Sequence, residues 1–440
     1  MGQIFRRYEP HQPLLLPPSL DEWLPADHLA RFVGDTVDEL DLGPFFKKYR
    51  NREDGRGRVA YHPRLMLKVL IYAYSAGIFS SRKIAQGVED LVALRFLAAN
   101  ERPSHRTLSR FRQENLERFK ALFVQVVRIA AEAGLVKMGT LAVDGSKLKA
   151  NASRHKAMSY GRMTDEEKRL KDEIARITRM AQEIDAEEDD RFGPDFRGDE
   201  LPEELRRRES RLKVIREAKE RLEREQAEQD AAEGRGEHHE ETGRGKLKRS
   251  NGVPPDKKQA NFTDPESRIM GNPKVGFVQG YNAQIAVDAK AQIIVANRIT
   301  QCAADSGELL PTTREAIEIA GAKPKHLLAD AGYKSEASFA ALEELGIDAH
   351  VALGKGENGA TQGRAAGPAT SRMHRKRQTK RSRKIYKRRK VIVEPVFGWI
   401  KSVLGFRSFS LRGLGRVEGE WNLVCLALNL RRMAPRVVWK

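Results

Sequence analysis

The sequence predicts an α/β protein with a mixed sheet, preceded by an all-helical region and interrupted by a long helical hairpin. Three observations carry this. Apolar residues recur at three- and four-residue spacing through the first third of the chain: Leu65, Leu67, Val69, Leu70 and Ile71, then Ile84, Val88, Leu91 and Leu94. From Met138 the pattern changes to strand, and later strand-like runs alternate with helical ones. Between these parts, two charged stretches repeat an apolar residue at four- and three-residue steps. The implied division is 1–135 for the helical part, 136–160 with 261–440 for the α/β part, and 161–260 for hairpin and linker.

In the helical part, "RPSHRTLSRFRQENLERF" starts a helix at Pro103-Ser104. Its face of His105, Arg106, Ser109, Arg110 and Arg112 is basic and hydrogen-bonding. Short helices ending in a basic one suit either a helix-turn-helix, whose second helix enters a major groove, or a plain basic surface. The hairpin helices carry Leu170, Ile174, Ile177, Met180 and Ile184, then Leu205, Leu212, Ile215 and Leu222, joined through "DRFGPDFRGDELP". They predict a coiled-coil arm or dimer contact. Residues 231–260 are rich in Gly, Pro and charge and read as a linker. His238, His239 and Glu240 within it are a weak candidate for a metal.

In the α/β part, "GFVQGYNAQIAVDAKAQIIVANRIT" reads as a hairpin turning at Asp288-Ala289-Lys290. "DSGELLPTTREAIEIAG" predicts a helix, "HLLAD" a strand, "SEASFAALEELG" a helix and "IDAHVAL" a strand. Pro395 is compatible with a helix in its first turn, which puts Glu394 at a helix start with Lys401 two turns along the same face. "EWNLVCLALNLRRM" is a last apolar helix.

The 80 Lys and Arg against 61 Asp and Glu give a net charge of +19. An excess of that size suits a protein that meets polyanions. Twelve Lys or Arg and no acid lie between Arg372 and Lys390. Such a run repels itself and stays disordered unless an anion lies against it, and nucleic acid is preferred over an anionic membrane because no amphipathic anchor accompanies it. Two cysteines exclude a disulfide framework or zinc ribbon, and no signal peptide or membrane span is recognisable. The chain reads as cytoplasmic.

Two aspartates stand out. Asp144 in "TLAVDGSKLKA" and Asp330 in "HLLADAGYKS" each close an apolar run and precede a glycine-containing turn. Ligands of open α/β sheets gather at the carboxyl ends of strands. With Glu394 packed across the same edge, three carboxylates would converge, which a divalent cation makes tolerable; oxygen-only ligands select Mg²⁺ or Mn²⁺. Two such ions serve phosphodiester displacement. Lys147, Arg389, Lys401 and the basic run would neutralise phosphates, and Tyr333 could stack on an unpaired base. Trp399 could stack likewise, but reads in preference as a core aromatic.

"LAVDGSKLKANAS", "HLLADAGYKS" and "YKRRKVIVEPVFGWIKSVLGFRSFSLRGLGRVEGEWNLVCLALNL" resemble the three catalytic blocks of bacterial insertion-sequence DDE transposases. "FTDPESRIM" and "YHPRLMLKVLIYAYSAGIFSSRKIA" resemble further segments of that group. The resemblance implies an RNase H-like fold, a catalytic triad of Asp144, Asp330 and Glu394, and two Mg²⁺ ions. It also implies nicking at the element's terminal inverted repeats and attack of the freed 3′-hydroxyl on target DNA, by a homodimer at the nucleoid. Related enzymes carry a Tyr-Arg-Glu-Lys signature. Lys401 keeps its place, whereas Tyr386 and Arg389 lie one residue further from Glu394 than usual, with Lys390 in the arginine slot. A metal-dependent nuclease or resolvase that cuts without joining, and a non-catalytic dimeric DNA-binding protein, are the alternatives.

Overall fold

The computed structural model describes residues 19–47, 60–192, 203–232, 251–272, 276–354 and 367–437. Helices α1 (Leu20–Trp23), α2 (Leu29–Glu39), α3 (Gly43–Phe46), α4 (Pro63–Ser75), α5 (Ser81–Asp90), α6 (Val92–Leu97), α7 (His105–Glu114) and α8 (Phe119–Glu132) form the first part. Their starts follow local chemistry. Pro63, which lacks an amide hydrogen, opens α4 where that donor would go unused, and the Ser104 hydroxyl accepts from the Thr107 amide at 3.3 Å to cap α7. Arg106 and Arg110 on α7 are exposed, but Arg112 is buried, donating to the Tyr74 hydroxyl and the Phe79 carbonyl. The expected basic face is therefore narrower than the sequence suggested.

Strand β1 (Thr140–Lys149) follows, then the short β2 (Ala157–Ser159), the long helices α9 (Tyr160–Phe192) and α10 (Glu203–Ala232), and β3 (Gln259–Asn261), which pairs with β2. The helices run antiparallel: Tyr160 bonds Glu223, Glu167 pairs with Lys219 and Arg216, and Glu173 with Arg208. Their apolar seam of Met163, Leu170, Leu212, Ile215, Ala218 and Leu222 is separate from the main core. Met180, expected on that seam, is exposed, and the side chain of Ile184 lies outside the described residues, as do His238, His239 and Glu240. The stretch read as linker already carries β3 at its end.

The sheet is completed by β4 (Arg268–Asn272), β5 (Gly276–Asp288), β6 (Ile294–Thr300), β7 (His326–Ala329) and β8 (Asp348–Val351). β5 pairs antiparallel with β4, β6 and β1, while β1, β7 and β8 lie parallel, in the order β4-β5-β1-β7-β8 with β6 also on β5. Helices α11 (Leu309–Ala320) and α12 (Glu336–Glu344) connect β6 to β7 and β7 to β8, as the alternating pattern predicts. Then come α13 (Pro368–Gln378), α14 (Lys380–Gly398), a π-helical turn (Trp399–Val403) and α15 (Leu414–Met433). The basic run is therefore helical, its acid-free stretch divided between α13 and α14 at Thr379, whose hydroxyl accepts from the Ser382 amide at 3.1 Å.

α15 ties the molecule together. It packs on α4, α8 and β6, and one apolar core runs from Leu24 to Met433 through it. The Asn429 amide takes both backbone groups of Ile294, accepting from its N–H at 2.9 Å and donating to its carbonyl at 2.8 Å, so it satisfies an outer edge of β6 as a neighbouring strand would. Buried Glu420 accepts from the Ser410 and Leu411 amides at 2.9 and 3.2 Å and lies 3.5 Å from the Tyr74 hydroxyl, which Arg112 also reaches. No helix among the described residues is long and apolar enough to cross a membrane.

Candidate active site

β1 and β7 pair parallel from Thr140↔His326 through Ala142↔Leu328. Carrying that register on by two residues puts Asp330, just past the end of β7, abreast of Asp144. Asp330 ends its strand as expected. Asp144 does not: β1 continues to Lys149, because β5 supplies antiparallel partners for Asp144 through Lys149 after β7 has stopped. One Asp144 oxygen accepts from the Gly145 amide at 2.9 Å, and Asp330 caps the following turn by accepting from Gly332 N–H at 2.9 Å.

Glu394 arrives differently from the expectation. It lies four residues before the end of α14, and Pro395 is inside the helix. A proline there leaves the carbonyl of Val391 without its helical donor. The Gln292 side chain fills the gap, donating to the Val391 carbonyl at 2.7 Å from the turn between β5 and β6. The interior proline is thus repaired from a distant part of the chain, which no local rule could foresee.

Arg389, one and a half turns before Glu394, turns inward. It donates to Asp144 at 3.1 Å and lies 3.5 Å from Glu394. Burial works against its charge, but Asp144, Tyr386, Asp330 and Glu394 outweigh burial and hold its pKa above the ordinary value. Burial pushes the Asp144 carboxyl up to about 6; Arg389 pulls it down and Asp330 up again. Three carboxylates thus share one guanidinium. They do not form a closed set, because among the described residues only His326, Asp348 and His350 bring three ligand atoms within 4.8 Å of one another. Lys390, in the slot the signature assigns to arginine, is exposed. In a continuous helix, turning Arg389 inward turns its neighbour out. Tyr386 lies under the Arg377 guanidinium, 3.9 Å from ring centroid to carbon. Lys401, in the π-helical turn, hydrogen-bonds Ser146 on β1.

A fourth carboxylate, Asp305, was not foreseen. In the loop after β6 it accepts from Lys147 at 2.8 Å, Asn282 at 2.6 Å and Gln284 at 2.8 Å. The signal was present: Asn282 and Gln284 are two apart within the apolar stretch Tyr281–Val287, so both face the same buried side and need a polar partner. Lys147 is consequently ion-paired beside the site. Tyr333 is fully buried and its hydroxyl donates to Gln284, so it has no open ring face for a base. Burial, then Asp305, Asp144 and Asp330, drive its phenol well above the usual range. Trp399, expected in the core, is 36 % exposed beneath Arg431.

Two family models match. One, described as "Transposase DDE domain", covers residues 248–430; the other, "Transposase domain (DUF772)", covers residues 18–114. The chain belongs to the insertion-sequence DDE transposases. A search of curated proteins and one of solved structures found no match. Of this transposase's acidic residues, Asp330 and Glu394 fall inside the DDE match and Asp144 outside both. What speaks for Asp144 is its register opposite Asp330 and its bond to Arg389.

Proposed function

We propose that the chain cuts DNA at the ends of an insertion sequence and joins the freed 3′-hydroxyl to target DNA, with Asp144, Asp330 and Glu394 as the catalytic carboxylates. The observation that carries this reading is the single buried guanidinium of Arg389 bonded to Asp144, facing Glu394 and held by the charge of Asp330. An acidic pocket of that kind, beside strongly basic helices, suits a phosphodiester.

The donor set fits a hard divalent cation. It is oxygen-only and acidic, and Asp144, with its carboxyl raised to about 6, is short of positive charge even with Arg389 beside it. Asp144, Asp330 and Glu394 would hold two Mg²⁺ ions, or Mn²⁺ in their place. Bound there, the metal supplies Lewis-acid stabilisation of the attacking and leaving oxygens. The rest falls to the chain. Gly145 and Gly332 amides orient one oxygen each of Asp144 and Asp330. Lys401, fixed on Ser146, offers a positive charge at the mouth, and Arg389 can exchange a carboxylate for a phosphate oxygen. Tyr386, Lys147, Arg106 and Arg110 serve as further phosphate contacts.

The antiparallel β6-β5-β1 run followed by parallel β7 and β8 supports an RNase H-like reading of the sheet. The seam between α9 and α10 supports a coiled-coil arm, which would help a homodimer hold two DNA ends together. Work at the nucleoid follows from such a substrate. The test is purified protein with labelled terminal-repeat DNA and Mg²⁺. Cleavage and strand joining are expected for the wild type, and retained DNA binding without cleavage for Asp144→Asn, Asp330→Asn and Glu394→Gln. Wild-type cleavage by any of these variants removes that residue from the triad. Cutting without joining favours a nuclease, and binding alone a non-catalytic protein.

A further inference from the structure

Far from the acidic pocket, at the opposite end of β7, three side chains converge that the proposed reaction does not use. His326 and Asp348 are register partners on the parallel strands β7 and β8, and His350 follows Asp348 by two residues, so all three rise from one face of the sheet. His326 Nδ1 lies 2.9 Å and His350 Nε2 3.1 Å from the same oxygen, Asp348 Oδ2. Their ligand atoms all fall within 4.8 Å of one another. Four residues separate His326 from Asp330 along an extended chain, roughly 13 Å at 3.3 Å per residue, so this cluster is distinct from the acidic pocket.

We propose that His326, Asp348 and His350 bind a divalent transition-metal ion of the zinc class. Two imidazoles with one carboxylate is a donor set such ions favour over Mg²⁺, and three protein ligands leave a fourth position open. Outer partners are already in place. His350 Nδ1 lies 2.8 Å from the Ser382 hydroxyl on α14, and the remaining Asp348 oxygen is held by Lys376 on α13.

Ligation asks each imidazole for one tautomer. The proton on His326 moves to Nε2, and that on His350 moves to Nδ1, from which it donates to Ser382 Oγ; that oxygen already accepts from Arg377 at 3.4 Å. The ion would fasten the outer strands β7 and β8, and through Ser382 and Lys376 the start of the basic helices, without touching the acidic pocket. Lys376 works against it, since its charge competes for Asp348.

Co²⁺ is the probe, added to the metal-free full chain carrying His238→Ala and His239→Ala, so that the adjacent histidines of residues 233–250 cannot answer for the site. With excess Mg²⁺ present to occupy the acidic pocket, one equivalent should bind and give the visible absorption of a low-coordinate nitrogen–oxygen site, and Zn²⁺ should abolish it. His326→Asn and Asp348→Asn should each weaken binding at least tenfold, and Asp144→Asn should leave it unchanged. Lys376→Met should tighten it several-fold, which a site on unrelated surface histidines would not do. Circular dichroism shows whether the His326 and Lys376 variants are folded. If Co²⁺ binds His326→Asn as it binds the parent, or Lys376→Met leaves affinity unmoved, the three residues are a hydrogen-bonded cluster and no metal site. Because the readout is not cleavage, failure here would leave the transposition reading intact.

Discussion

Replacing Asp144 by asparagine perturbs the acidic pocket at the point where its electrostatics are most strained, and the magnitude follows from one number. The folded carboxyl titrates at about 6 against an ordinary 3.8. Below pH 3.8 the group is protonated folded or unfolded, and its contribution to stability is fully present. As the pH rises, the unfolded chain loses its proton first and the folded chain resists, so that contribution is lost through about pH 6. The full loss is about 3 kcal/mol, of which about 1.4 kcal/mol falls between pH 5 and 8. Asparagine keeps the bond from the Gly145 amide and does not titrate. It also strips Arg389 of its best partner, but that attraction is already contained in the Asp144 pKa, so it adds no further slope to the comparison. Urea unfolding in EDTA from pH 5 to 8 should therefore show the wild type losing about 1.4 kcal/mol relative to Asp144→Asn. Added Mn²⁺ should recover the loss in the wild type and not in the variant. Parallel curves for the two proteins would mean that Asp144 is not the strained group, and the argument from its burial would fail.

Arg389→Gln removes the guanidinium shared by the carboxylates, so thermal melts should show a larger Mn²⁺ stabilisation than in the wild type, since the ion then meets no competitor. Asp305→Ala leaves buried Gln284 and Asn282 without their shared acceptor and Lys147 without its ion pair; a loss of about 1–3 kcal/mol in urea unfolding is expected, with cleavage reduced but DNA retention kept. Glu420→Gln, inside the buried network of Tyr74, Arg112 and Ser410, should cost about 3 kcal/mol, and a double-mutant cycle with Arg112→Leu should show coupling above about 0.5 kcal/mol. DNA retention should fall steeply with salt for the wild type, and less steeply once Lys387 and Arg388 on the exposed face of α14 are neutralised, as a filter-binding series would record.

Much of the fold was legible because period and caps agree along the chain. The hairpin of β5 and β6 and the succession α11, β7, α12 and β8 follow directly from alternation and turn residues, and Ser104 capped its helix as its sequence promised. What was hidden came from partners distant in sequence. Arg112 reads as one more cation on a basic helix, yet Tyr74 and the Phe79 carbonyl, more than thirty residues earlier, draw it inward. The basic run reads as self-repelling. α13 and α14 relieve this by pairing Arg372 with Glu343 and Lys376 with Asp348, and by stacking Arg377 on Tyr386.

The site shows the same division. Asp144 and Asp330 could be singled out because a carboxylate ending an apolar run is costly unless something compensates it. How Glu394 reaches them could not be read locally, since Pro395 argues for a helix start. α14 nevertheless runs on and carries both Arg389 and Glu394, with the Gln292 amide reaching across from another turn to the Val391 carbonyl that Pro395 leaves without a donor. The one-residue offset of Arg389 has its resolution there too. Counting back from Glu394 selects Lys390, but a helix that continues through Pro395 turns Arg389 towards β1 and Lys390 towards solvent. Spacing along the chain names the residue types a site needs. Which neighbour faces inward is decided by the phase of the helix, and in this chain that phase is carried unbroken through an interior proline.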